Sequence, residues 1–132
     1  MGTVRYLLDT HSLLWAVSDN RKIGKNAKKI MDNPDIPLYV SSVSAYEITN
    51  KFRIGKLPGY TYIIDNYQEV LDDFNVLELP ISTKHAHYAG KFDWNHRDPF
   101  DRIIAAQAFL DDFTLITNDP EFNSLSWIKV LW

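Results

Sequence analysis

A chain of 132 residues carrying 14 lysines and arginines against 17 aspartates and glutamates has a formal net charge of −3. That excludes a general polyanion binder and leaves any nucleic-acid contact to a local basic patch. The absence of cysteine excludes a disulfide framework and a thiolate metal site, and fits a reducing, cytoplasmic setting. A hydrophobic share of 45% over this length fits one domain, residues 1–132, with a real core, and no apolar run approaches the roughly 18 residues of a membrane span.

Met1-Gly2-Thr3 leads straight into an apolar run without a signal-peptide cleavage pattern. Val4 to Leu8 reads as a buried first strand. It ends in the polar cluster Asp9-Thr10-His11-Ser12, which belongs at the strand's carboxyl end, where open α/β sheets keep their sites. Leu13 to Val17 reads as a short helix and Asn26 to Met31 as another, closed by Asp32-Asn33-Pro34. Pro37 to Val40 is the second predicted strand. Ser44 and Glu47 match the S-x-x-E start of a helix that runs past Ile48 and Phe52 to Gly55. Its last turn is basic, with Lys51, Arg53 and Lys56 suiting the helix dipole. Tyr62 to Leu71 has helical spacing, with Ile63, Ile64, Tyr67, Val70 and Leu71 inward.

Val76 to Leu79 is the third predicted strand, stopped by Pro80; Ser82 caps a helix through Ala89, broken at Gly90. Then comes His96-Arg97-Asp98-Pro99-Phe100-Asp101-Arg102, running into Ile103-Ile104-Ala105-Ala106. Asp98 sits where an N-cap belongs and Pro99 occupies the first helical position, where a missing N–H costs nothing. The small alanines let this helix lie close to a sheet. Thr114 to Thr117 and Trp127 to Leu131 are the fourth and fifth predicted strands, the fourth ended by Asn118-Asp119-Pro120. Strands alternating with helices predict a parallel α/β sheet.

Strand ends and helix starts share one edge of such a sheet. Asp9 and Asp119 follow strands, whereas Glu47 and Asp101 are each expected at the third position of a helix opening toward that edge. Taken singly, each acid has a plain structural role as cap, turn former or dipole partner. Their coincidence at one edge points to more, because clustered carboxylates raise one another's pKa unless a divalent cation relieves them. Oxygen ligands without cysteine or a histidine cluster indicate Mg²⁺ or Mn²⁺, the ions that assist phosphodiester hydrolysis. Asp9 and Asp101 are assigned as direct ligands. Asp119 is assigned a ligand role through water or at a second ion, and Glu47 the attacking water. Thr10, Ser42 and Thr117 stand behind them as supporting candidates. Arg102 is a candidate phosphate clamp, and His96 a candidate for positioning substrate. His85 and His87 read as surface residues, and the four tryptophans as packing or interface anchors.

The order Leu7-Leu8-Asp9-Thr10-His11, Ser44-x-x-Glu47-Ile48, His96 to Arg102 and Thr117-Asn118-Asp119 resembles PIN-domain proteins, most nearly the VapC-type toxins of bacterial toxin–antitoxin pairs. The resemblance spans essentially the whole chain. It implies a three-layer α/β/α sandwich with a central parallel sheet of four to five strands, and Mg²⁺- or Mn²⁺-dependent ribonuclease activity. It also implies inhibition by a cognate VapB-like antitoxin, and a homodimer. The family's four acids map onto Asp9, Glu47, Asp101 and Asp119, with Asp98 an extra acid of an Asp-Pro-Phe-Asp subgroup. Two other classes compete. An aspartyl-phosphate phosphatase would want a second acid two residues beyond Asp9, where His11 stands. A non-catalytic binding domain would use the acids as caps and surface charge.

Overall fold

The computed structural model describes residues 3–132; Met1 and Gly2, part of the stretch read for a signal peptide, lie outside the described residues. Five strands, β1 (Arg5–Leu8), β2 (Leu38–Ser41), β3 (Val76–Leu79), β4 (Phe113–Ile116) and β5 (Lys129–Leu131), form a single sheet in the order β3-β2-β1-β4-β5. Every pairing is parallel, with Leu7 opposite Tyr39 on one side and Leu115 on the other. The helices are α1 (Thr10–Ser18), α2 (Lys25–Met31), α3 (Ser42–Arg53), α4 (Thr61–Asp65), α5 (Tyr67–Asp73), α6 (Thr83–Lys91) and α7 (Pro99–Leu110). Three-residue and five-residue 3₁₀ turns lie at Asn20–Lys22 and Pro120–Ser124.

The middle strand shows why this is a sandwich. Adjacent residues of a strand point to opposite faces, and Leu7 and Leu8 are both fully buried. Leu8 packs with Leu13, Ala27, Val70 and Leu71, from α1, α2 and α5. Leu7 packs with Ile104, Ala105 and Ala108 of α7 and with Phe113 and Phe122. Apolar layers on both faces are what a parallel sheet requires. The small side chains of Ala105 and Ala108 seat α7 on the sheet.

The chain runs from β1 outward through β2 to β3, then returns to lay β4 and β5 on the other side of β1. The connections therefore diverge at the carboxyl ends of β1 and β4, the place where open sheets present a crevice. Asp9 is the residue after β1 and Thr117 the residue after β4. The Asp9 N–H donates to the Ile116 carbonyl at 3.1 Å and so ties the two strand ends together.

Several local expectations needed correction. The expected capping box at Ser44 is absent: Ser41 caps α3, accepting from the Val43 N–H, because the chain turns into helix directly at the end of β2. Glu47 is consequently the sixth residue of α3, one turn deeper than expected. The predicted helix from Tyr62 to Leu71 is broken at Asn66, whose non-helical φ of −131° and ψ of 38° separate α4 from α5. Helix α6 continues through Gly90 to Lys91. Ser82 caps α6 as expected, but it is His85 that completes the box by accepting from the Ser82 N–H at 3.0 Å. His85 is buried, not a surface residue, and its other ring nitrogen donates to Asp111 at 2.8 Å. Gly55 follows the end of α3 at φ +82°, a left-handed conformation in keeping with its expected stop role.

Candidate active site

The site is built from helix caps. Asp9 leaves β1 in an extended conformation and caps α1, its Oδ1 accepting from the Ser12 N–H at 2.8 Å. Its Oδ2 accepts from the Thr117 hydroxyl at 2.5 Å. The same Thr117 oxygen accepts from the Asp119 N–H at 3.0 Å, so one side chain fixes both aspartates across the switch point. Asp9 is only 5% exposed. Burial pushes its carboxyl above the usual range, and the hydrogen bonds from Ser12 and Thr117 pull it part of the way back. Asp119 caps the second 3₁₀ turn, accepting from the Glu121 N–H at 3.0 Å. Asp9 and Asp119 share a cavity of about 220 Å³ walled by His11, Trp15 and Asn118.

Thr10 opens α1 and reaches the next element. Its hydroxyl donates to Glu47 Oε1 at 2.6 Å and lies 2.8 Å from the Ser44 hydroxyl. A hydroxyl has one proton to give, so Ser44 is the donor in that second bond. Glu47 is 3% exposed, and its Oε2 lies 2.5 Å from the Lys51 ammonium one turn along α3. Burial alone would lower the Lys51 amine, but the bond to Glu47 and the charges of Glu47, Asp98 and Asp101 outweigh it and raise it.

The third piece is the start of α7. Asp98 caps it as the sequence predicts, its Oδ1 accepting from the N–H groups of Phe100 at 2.9 Å and Asp101 at 3.2 Å. Asp101 is third in the helix, and its Oδ2 meets His96 Nε2 at 2.7 Å. Burial drives the Asp101 carboxyl up to about 7; the His96 bond opposes this, and the charges of Asp98 and Glu47 add to it. For His96, burial pulls the imidazole down, but Asp101, Glu121 and Asp98 together raise it. Among the described residues, His96, Asp98 and Asp101 form a group whose ligating atoms all lie within 4.8 Å of one another. Asp9, Glu47 and Asp119 stand outside that group. Asp9 and Asp119 sit at the switch point, Glu47 joins them through Thr10, and its charge is felt at Asp101.

Two of the supporting candidates sit differently from expectation. Arg102, the candidate phosphate clamp, is bound largely within the protein. Its guanidinium donates to the carbonyls of Ala89 (2.9 Å), Phe92 (2.5 Å), Trp94 (3.0 Å) and His96 (3.0 Å) and lies over the Phe92 ring. It staples the loop that carries His96 and Asp98, with four of its five N–H donors engaged by backbone carbonyls. Ser42 is half-buried at the first position of α3, and the serine that reaches Thr10 is Ser44, two residues on. The residues that sequence reasoning missed as part of this site are Ser44, Lys51 and Glu121. The i, i+4 spacing of Glu47 and Lys51 was the available signal; Glu121, 3.8 Å from His96 Nδ1, left none.

A parallel α/β sheet with helix-capping acids at the carboxyl ends of its central strands is a doubly wound domain, a fold that keeps its ligand sites at the switch point. The PIN domain profile matches residues 6–128, and the chain belongs to the PIN domain family. A comparison with curated protein sequences finds no significant match. Among solved structures, the DNA-bound VapBC from Salmonella typhimurium superposes with a TM-score of 0.68 at 15% identity, covering 98% of this chain and 98% of that one. A toxin–antitoxin complex from Klebsiella pneumoniae gives 0.67 at 19% identity and 96% of each chain. VapBC2 from Rickettsia felis, bound to a promoter DNA fragment, gives 0.64 at 18% identity, covering 97% and 98%. These likenesses establish the PIN-like fold.

Proposed function

We propose that this PIN domain is a VapC-type toxin, an endoribonuclease that hydrolyses RNA phosphodiester bonds with Mg²⁺ or Mn²⁺ and is held inactive by a VapB-like antitoxin. The observation that carries the reading is the Asp101 carboxyl. It is buried, which pushes it up to about 7, with the charges of Asp98 and Glu47 adding to the rise and the His96 bond opposing it, and its ligating oxygen lies within 4.8 Å of those of His96 and Asp98. The donor set of carboxylate oxygens with one imidazole suits a hard divalent cation. Asp9, Asp101 and Asp119 are the proposed ligands, with Asp98 and His96 beside Asp101. Such an ion supplies Lewis-acid polarisation of the phosphate and an acidified water.

The protein's own part is placement. Thr117 locks Asp9 and the Asp119 backbone in one register. Thr10 holds one oxygen of Glu47, and Lys51 brings a positive charge to the other; Glu47 then orients the attacking water. Toxin and antitoxin function fits a homodimer acting in the cytoplasm, and no helix among the described residues is long and apolar enough to cross a membrane.

The test is expression of the full chain in bacteria beside Asp9→Asn and Asp101→Ala, with sequencing of RNA ends and calorimetric titration of purified protein with Mn²⁺. Growth arrest, defined cuts and Mn²⁺ binding that all disappear in the variants support the proposal. Asp9→Asn protein that still binds Mn²⁺ and cuts RNA refutes it.

A further inference from the structure

Next to the acids lies a cavity of about 390 Å³ that the proposed chemistry does not use. Its volume falls within the roughly 300–1,000 Å³ of small-molecule pockets. The indoles of Trp94 and Trp127 wall it, and Asp93, Asn95, Glu121 and Ser124 stand at its polar side. Both indoles are held from behind. Trp94 stacks on Phe92 at 22° and 5.7 Å, touches Phe122, and donates its N–H to Ser124 Oγ at 2.9 Å. Trp127 packs edge-on against Phe92 and Phe109. Rings fixed in this way lose little freedom when a flat group slides against them. The cavity adjoins the acid site: the Trp94 ring is 4.9 Å from that of His96, which bonds Asp101, and Glu121 is 3.8 Å from His96.

The polar side selects the occupant. No lysine or arginine lines the cavity among the described residues, so it repels a phosphate. Its charged groups are two carboxylates, which accept hydrogen bonds only. The matching ligand is a flat ring with adjacent N–H donors. Guanine alone among the RNA bases presents a ring N–H and an amino group side by side on its Watson–Crick edge. Adenine and cytosine set a ring acceptor beside the amino group, and uracil flanks its N–H with two carbonyls. Unpaired bases are read in this way, by stacking and by that edge. We infer that the cavity lined by Trp94 and Trp127 binds an unpaired guanine of the RNA next to the scissile phosphate and sets where the chain cuts. The link to cutting rests on the ribonuclease reading; base binding does not.

The test is two-dimensional NMR of the full chain, following the indole N–H signals of all four tryptophans during titration with GMP, AMP, CMP and UMP. GMP should shift Trp94 and Trp127 while leaving Trp15 and Trp132 in place, and should bind about tenfold more tightly than the others. Asp93→Asn combined with Glu121→Gln should lose that preference while the free protein's indole spectrum stays folded. In RNA cut by the wild type, guanine should occupy one fixed position beside the cut, and Asp93→Asn should relax it. If GMP moves Trp94 and Trp127 but no RNA is cut, the base pocket stands and the ribonuclease reading falls. If RNA is cut while the four nucleotides act alike, or GMP moves only Trp15 and Trp132, the pocket assignment is overturned and the ribonuclease reading stands.

Discussion

Replacing Asp101 by asparagine should make the metal-free protein more stable at pH 8, even though it removes a proposed ligand. In the fold the carboxyl titrates at about 7 instead of the ordinary 3.8 because it is buried beside Asp98 and Glu47. A raised carboxyl stabilises the fold fully only below its unfolded value, and that advantage is lost as pH climbs through the folded value. Three pH units at about 1.4 kcal/mol each put the cost of ionised Asp101 at about 4 kcal/mol above pH 7. His96 returns part of this. Its imidazole is raised chiefly by Asp101, so its contribution is present at acid pH and fades as pH rises through its own folded value. That help fades with rising pH while the cost of ionised Asp101 grows, leaving an expected net gain of about 2–4 kcal/mol for Asp101→Asn at pH 8. Urea unfolding followed by tryptophan fluorescence in the presence of a chelator measures it. The two proteins should be close near pH 4, and the gap should open between pH 4 and 7. Adding Mg²⁺ should then stabilise the wild type but not the variant. A variant that is less stable than the wild type at pH 8, or a gap that does not change with pH, would refute the reasoning.

Other outcomes follow from single contacts. Arg102→Lys keeps the charge but loses the planar fork that serves four carbonyls; it should cost about 2–4 kcal/mol in urea unfolding and loosen His96, read as a shift of its imidazole signals. Gly24→Ala should cost about 1–3 kcal/mol by overpacking, since a Cβ there would come within 2.5–2.7 Å of Trp132; thermal melting with a larger loss on Gly24→Val checks it. The Tyr67 hydroxyl is buried without a hydrogen-bond partner among the described residues, and burial, helped by Glu78, raises its phenol. Tyr67→Phe should therefore add about 1 kcal/mol at pH 7. It should also remove an alkaline loss of stability that sets in for the wild type above about pH 10, where the unfolded phenol ionises and the folded one does not.

Local chemistry was legible in the sequence where the determining groups are neighbours in the chain. Asp98 and Pro99 announce the start of α7 because a cap and its first helical residue act on the same backbone turn. The strands were visible as apolar runs between turn formers, and their alternation with helices gave the parallel sheet. Ser44 misled because S-x-x-E is a local motif, whereas what decides the start of α3 is that the chain leaves β2 at Ser41, whose hydroxyl accepts from the free Val43 N–H. Released from capping, Ser44 and Glu47 both turn to Thr10, which is 34 and 37 residues away. The anchorage of Arg102 and the burial of His85 were hidden for a related reason. A charged or polar side chain on a helix is ordinarily solvated, and only the packing of α6 on α7 reveals the carbonyls around Arg102 or the Asp111 carboxylate beside His85.

The structural and functional readings of the acids are not rivals. Asp9, Asp98 and Asp119 each cap a helix or turn, and in each it is Oδ1 that accepts from the backbone. A carboxylate has two oxygens and about four lone-pair sites, so a cap engages one side: Oδ2 of Asp98 and Asp119 is left to face a ligand, and Oδ2 of Asp9, which accepts from Thr117, keeps a further lone pair for one. The cap is what makes a ligand effective, because it fixes a flexible side chain to a rigid helix start before any ion arrives. Alanine at these positions removes cap and charge together and leaves their contributions mixed. Asparagine caps about as well as aspartate but carries no charge. Asp9→Asn and Asp119→Asn therefore separate the two roles: a fold that holds while Mn²⁺ binding is lost assigns the charge to the ion, whereas a fold that fails with asparagine at these positions returns the acids to architecture alone.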